Sequence, residues 1–323
     1  MAALQAGTLQ AAVVAAAAAV AYYYYLSRDV REAPEFTVLA WNVLAREFTM
    51  FNRQLPGCVQ GHHNPDDKLE TREQTAARYS LASDSLIARA PDAVLLQELS
   101  ADFFLTDVNP RAQALLAMFE VAHATNTAGP GTAVLLRRAG PLKSTGVVFS
   151  AGASEYLTGG TSKSASAVLV TVGGSGKRCW MISLHLAPFK FYPNQVRTHL
   201  ELMGAALREA PSLHALPPPR VVIGGDLNAE LHEVAMLQRE CATLSGALAR
   251  VVSPGDTGLS ADFSKPECID HLFISPGLRL VGPLELERPP ASPYGVRDGD
   301  GTAASPVVAP SDHVWQSIRL AAD

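Results

Sequence analysis

Six short segments of the chain end an apolar run in an amide, a carboxylate or an imidazole. They are Trp41-Asn42, Gln97-Glu98, Leu184-His185-Leu186, Gly224-Gly225-Asp226-Leu227-Asn228, Ile269-Asp270-His271 and Ser311-Asp312-His313. Side chains of these types hold a hard divalent cation and meet the oxygens of a phosphate. Phosphodiester hydrolysis is slow because charged oxygens repel a nucleophile, and a cation that shares their charge relieves this. Glu98 and Asp312 suit the cation, with Asn42 as a neutral amide beside them. Mg2+ is the expected ion. None of the six segments contains Cys, which speaks against zinc.

The remaining polar positions suit the water and the phosphoryl group. Asp226 and Asn228 stand two apart at a strand end, which would put both on one face. Asp226 is expected to orient or deprotonate the attacking water, and Asn228 to hold a phosphoryl oxygen or that base. His185 and His313 are expected to donate to non-bridging oxygens, where a cationic imidazole stabilises developing charge. Asp270 is the carboxylate expected to pair with His313 and favour its charged form. Arg197, in the helix after His185, reads as a substrate-binding contact to phosphate, with a surface salt bridge as the alternative. Phe189, Phe191 and Tyr192 either stack a base or pack their loop onto the core. Taken singly, each polar residue has a structural explanation: Asn42 caps a turn, Asp226 and Asn228 form an Asx-turn, Ser311-Asp312 caps an element. The joint occurrence of six such endings in one chain favours catalysis.

Residues of this kind need strands that end together. Phe36 to Val43 reads as a buried strand, Thr71 to Arg89 as a helix, and Ala93 to Leu99 as a second strand. A further helix is expected over about residues 102–119, interrupted near Pro110. From Phe119 the pattern turns to strands joined by Gly-containing turns: FEVAHAT, GTAVLLRR, STGVVFS, SAVLVTVG and CWMISLHL. A helix (Asn194 to Glu209) and another strand (Arg220 to Gly225) follow, which fits two mixed sheets with helices outside. Arg46 to Leu69 is a long irregular excursion whose His62, His63, Asp66 and Asp67 read as a solvated loop.

The 323 residues are 48% hydrophobic and 18% charged, the composition of a packed globule rather than a disordered chain. A net charge of −5 argues against a long, non-specific grip on duplex nucleic acid. Cys58, Cys179, Cys241 and Cys268 show no CxxC or framework spacing, as expected of a reducing compartment. Ala11 to Leu26 is wholly apolar or aromatic, close to the roughly 20 residues of a membrane span, and Tyr22 to Tyr25 suit a membrane boundary. Residues 1–30 are therefore expected to be a membrane anchor and residues 31–323 the catalytic domain. Arg28 and Arg31 place that domain on the cytoplasmic side.

The order WN, QE, HL, GDLN, ID and SDH resembles the endonuclease/exonuclease/phosphatase family, which includes DNase I, AP endonucleases, inositol polyphosphate 5-phosphatases and neutral sphingomyelinases. The likeness spans about residues 36–320. It implies an α/β fold, a four-layer α/β sandwich of two mixed β-sheets packed face to face with helices outside, and Mg2+ or Mn2+ as cofactor. Glu98 matches the family's metal-binding glutamate, Asp226 and Asn228 its GD-x-N pair, Asp312-His313 its terminal SDH, and Asp270 the aspartate pairing with that histidine. Trp41-Asn42-Val43-Leu44-Ala45, the long insert, and the Arg-bearing helix before Leu96-Gln97-Glu98 are similar to the nocturnin and angel-type group. So is Gly131-Thr132-Ala133-Val134-Leu135-Leu136. That group contains poly(A) deadenylases, 2′-phosphodiesterases and a phosphatase acting on NADP(H). Ala187-Pro188-Phe189 departs from the WxP-like continuation of the deadenylases. The resemblance implies a phosphodiesterase or nuclease, a 3′ exoribonuclease of poly(A) or a related nucleotide substrate. Its alternatives are a phosphatase or lipid phosphodiesterase, and a catalytically silent membrane-tethered binding module. RNA or a nucleotide is the expected substrate, the membrane the expected contact of residues 1–30, and no protein partner is inferred.

Overall fold

The computed structural model of the chain describes residues 33–43, 72–125, 130–152, 163–173, 175–209, 219–241, 249–251, 258–259, 266–287 and 313–322. The first of two sheets gathers β1 (Glu35–Asn42), β2 (Ala93–Leu99), β3 (Phe119–Ala124), β4 (Gly131–Arg137), β13 (Leu278–Leu280), β14 (Glu285–Glu287) and β15 (Trp315–Ala322). Its order is β13-β15-β1-β2-β4-β3, with β14 also on β15. The second contains β5 (Leu142–Gly152), β6 (Ser164–Val172), β7 (Lys177–Leu184), β8 (Arg220–Asp226), β9 (Ala249–Val251) and β12 (Asp270–Ile274), in the order β5-β6-β7-β8-β12-β9. A ribbon of β10 (Gly258–Leu259) and β11 (Pro266–Glu267) stands apart from both.

Each sheet has one parallel step among its described pairs, β1 with β2 and β7 with β8; every other pair is antiparallel. Parallel neighbours need a crossover, and helices supply both. Helix α1 (Arg72–Arg89) lies between β1 and β2, and α3 (Pro193–Glu209) between β7 and β8. Helices α2 (Ala112–Met118) and α4 (Leu231–Glu240) follow β2 and β8.

Strand alternation then builds four layers. Phe36, Val38 and Ala40 of β1 meet Val168, Val170, Met181 and Val222 of the other sheet in the central core. The intervening Leu39 and Trp41 face Tyr79 and Leu86 of α1. On the far side Trp180, Ile182 and Ile223 face Val196 and Leu200 of α3 and Val234 of α4. The fold is the expected α/β sandwich, with two mixed sheets face to face and helices outside.

The second expected helix is shorter than the sequence pattern suggests. Residues 101–111 form turns, and only Ala112–Met118 are helical. Pro110 has no N–H and disfavours helical backbone at Asn109. Asn109 is buried and takes over that hydrogen bonding, giving to the Phe103 carbonyl and Ser83 and accepting from the Arg111 N–H. Among the described residues no helix is long and apolar enough to cross a membrane. The span expected within residues 1–30, the excursion with His62, His63, Asp66 and Asp67, and Ser311-Asp312 lie outside the described residues.

Candidate active site

The period of two that fills the central core also aims the polar strand ends. On β1 the inward series Phe36, Val38, Ala40 continues to Asn42; on β8 Val222 and Gly224 lead to Asp226; on β12 Ile274 and Leu272 lead to Asp270. Cys179, Met181 and Ser183 of β7 lead to His185 in the same way. These residues lie at the same end of the sandwich because β12 runs antiparallel to β8, setting Asp270 directly opposite Asp226. Likewise β15 runs antiparallel to β1, so His313, just before β15, returns beside Asn42.

Glu98 reaches the site by breaking the alternation. Leu96 and Leu99 both pack beneath α1, although residues three apart on a regular strand face opposite ways. The pairing of β2 with β4 is irregular between them, and Glu98 takes a left-handed backbone with φ 52°. Such a bulge re-aims a side chain, at a conformational cost of roughly 1–3 kcal/mol. Its neighbour Gln97 is structural: the amide nitrogen spans the sheets to Ser183 Oγ at 2.8 Å, and Ser183 donates to the Leu96 carbonyl.

Asp226 is the centre of the group. Its Oδ2 accepts from Asn42 Nδ2 at 3.0 Å and lies 3.6 Å from His185 Nε2 and 3.8 Å from His313 Nε2. Glu98 Oε1 is 3.5 Å from His185 Nε2. His313 Nδ1 meets Asp270 Oδ2 at 2.8 Å, and its Nε2 lies 3.4 Å from Asn42 Nδ2. A donating amide at Nε2 and a carboxylate at Nδ1 favour the ring with its proton on Nδ1. Behind the pair, Gln316 donates to the Asp270 carbonyl and ties the two sheets together, and Trp41 donates to the His313 carbonyl within its own sheet. The buried Arg78 of α1 fixes the end of β1 by donating to the Val43 carbonyl at 2.9 Å.

Several expectations are corrected here. Asn228 does not share a strand face with Asp226: β8 stops at Asp226, and Asn228 turns left-handed at φ 47°. Its N–H bonds Asp226 Oδ1 at 2.8 Å in an Asx-turn, and its amide donates to the Leu186 carbonyl. Asn42 turns its amide nitrogen to Asp226 and His313. His185 is held away from the expected cationic form: burial first, and then the charges of Lys163, His313 and His199, lower it well below the ordinary imidazole range. Arg197 is bound to Glu240 at 2.8 and 2.9 Å and lies over the Phe189 ring, a salt bridge in place of the expected phosphate contact. Phe189 is buried, whereas Phe191 and Tyr192 are about half exposed.

One member went unseen in the sequence. Lys163, immediately before β6, is buried with its ammonium against His185 Nε2. No periodicity marks it, but hairpin register does: Ala165 pairs with Leu184, which brings the residues just before Ala165 to His185. Burial lowers the Lys163 ammonium, opposed by the charges of Glu98 and Asp226. Burial likewise pushes Asp226 upward, opposed first by His313. Two groups can hold a cation, their donor atoms within 4.8 Å of one another: Glu98, His185 and Asp226, and Asp226, Asp270 and His313.

A two-sheet sandwich with this acidic and imidazole cluster between its strand ends is that of a phosphoric ester hydrolase. The chain belongs to the endonuclease/exonuclease/phosphatase family, whose model matches residues 39–313. No curated protein matches it by sequence. Solved structures share its fold at low identity. A family protein from Bacteroides thetaiotaomicron is 14% identical with TM-score 0.61, over 90% of this chain and 99% of that one. D. rerio TDP2 complexed with single strand DNA product is 16% identical with TM-score 0.59, over 88% and 98%. The human Nocturnin catalytic domain with bound sulfate anion is 14% identical with TM-score 0.57, over 89% and 93%.

Proposed function

We propose that the chain is a Mg2+-dependent phosphodiesterase that hydrolyses a nucleotide or a single-stranded nucleic acid end by direct attack of water. Poly(A) cleaved from its 3′ end is the first substrate to test. The observation that carries this reading is the convergence of Glu98, Asn42, Asp270 and His313 on the buried Asp226 carboxylate. The oxygen donors Glu98 and Asp226, within reach of one another, fit a hard cation that needs only one or two carboxylates. Asp312 is the third residue assigned to it. When bound, Mg2+ supplies positive charge to the phosphoryl oxygens.

The residues have separate tasks. Asp226, held by the Asn42 amide and the Asn228 N–H, orients the attacking water. His313 faces the same space through Nε2 while Asp270 fixes its ring, so it is placed to exchange a proton with that water. A nucleic acid product in one structural neighbour and a tetrahedral anion in another support the substrate class. Residues 1–30 enter the proposal as a membrane anchor with the catalytic domain on the cytoplasmic side; release of the full chain by alkaline extraction of membranes would remove that part.

Purified protein should cleave a 5′-labelled oligoadenylate when given Mg2+. Comparison with a phosphoinositide and with sphingomyelin separates the nucleotide reading from a lipid one. Preferential turnover of either lipid would overturn the substrate assignment.

A further inference from the structure

The buried Lys163 ammonium at His185 has a consequence for the choice of metal. An ammonium carries donors only, so Nε2 of His185 accepts from it and the imidazole proton lies on Nδ1. Nε2 is the nitrogen that faces the cluster, 3.5 Å from Glu98 and 3.6 Å from Asp226. It is thus the lone pair that a cation between those carboxylates would use, and the lysine already occupies it. Among the described residues Nδ1 meets no hydrogen-bond partner, and it is buried, so it offers no second route to the carboxylates.

We propose that Lys163 is a specificity-determining residue for the metal: by capping His185 Nε2 it withdraws that imidazole from the group of Glu98, His185 and Asp226 and leaves the group its two carboxylates. Oxygen donors suit Mg2+ and Mn2+, whereas an available imidazole favours Co2+, Ni2+ and Zn2+. This inference rests on the hydrolase reading given above, and its test separates the two.

The test is Co2+ and Mg2+ binding by calorimetry on the full chain, for wild type, Lys163→Met and Lys163→Met/His185→Gln. Thermal melting verifies folding of each. Lys163→Met should bind Co2+ about tenfold or more tightly relative to Mg2+, the scale of effect of neighbours that tune metal ligands. Its Co2+ complex should show the absorption and the paramagnetically shifted imidazole resonance of a coordinated histidine. The double variant should lose both. In wild type, Co2+ should leave the His185 resonances without that contact shift, a measurement that stands even if Lys163→Met fails to fold. A Lys163→Met protein with unaltered Co2+ preference, or a wild-type His185 that already coordinates Co2+, would overturn the inference while Mg2+-dependent hydrolysis still stands. A wild-type chain that binds no divalent cation and hydrolyses nothing overturns both.

Discussion

Glu98 gives a stability test with an inverted sign. In an ordinary strand, Gly is less stable than Ala by about 0.5–1 kcal/mol because its unfolded chain has more freedom to lose. Glu98 holds φ 52°, where a side chain beyond hydrogen costs roughly 1–2 kcal/mol. Taking the middle of each range, Glu98→Gly should exceed Glu98→Ala in stability by about 0.75 kcal/mol. Both variants lose the same carboxylate, so its contacts cancel in the comparison. Urea unfolding of the two proteins, with slopes checked for equality, measures the difference. Both should be inactive. A Glu98→Ala protein as stable as the Gly variant would refute the argument that the strand break, rather than ordinary alternation, delivers this carboxylate.

Other substitutions probe the frame. Ala90 ends α1 at φ 47°, so Ala90→Gly should stabilise the protein by roughly 0.5–1 kcal/mol in urea with activity unchanged; a loss of stability would contradict the backbone reading. A methyl at Gly225 would meet the Leu184 carbonyl at 2.0 Å, and one at Gly224 the Leu272 and Leu95 side chains at 2.6 and 2.9 Å. Side chains can give where backbone cannot, so Gly224→Ala should cost about 1–3 kcal/mol and Gly225→Ala more, with the reverse order on unfolding curves speaking against the packing. Burial pushes the Cys179 thiol up to about 12, so it should resist alkylation near pH 8 until the chain unfolds. Labelling of folded protein at that residue would show an opening that the structure lacks.

Much of the site was legible because each buried strand is an apolar run that stops at a polar residue. FTVLAWN, CWMISLH and RVVIGGD end in Asn42, His185 and Asp226, and the fold shows these to be the next positions on the face turned to the other sheet. Partnership of Asp270 with His313 needs only that strand ends meet, which the antiparallel register of β12 and β15 provides. What stayed hidden depends on departures from regularity or on pairing across the chain. The bulge at Glu98 has no sequence mark, and Asn228 leaves the strand that its spacing implied. Lys163 is invisible until the β6–β7 hairpin sets it against His185. Arg197 was placed by proximity in sequence alone, and Glu240 of α4, a helix the sequence pattern did not announce, takes its charge.

The most direct test of a cation-dependent site centred on Asp226 is single-turnover hydrolysis of a labelled single-stranded oligonucleotide. It compares wild type, Glu98→Gln and Asp226→Asn with Mg2+ and after chelation by EDTA. Wild type should cleave only with the metal and recover on its return, while each variant should fall by about 100-fold or more. Hydrolysis that persists in EDTA, or full activity in both variants, would contradict the account.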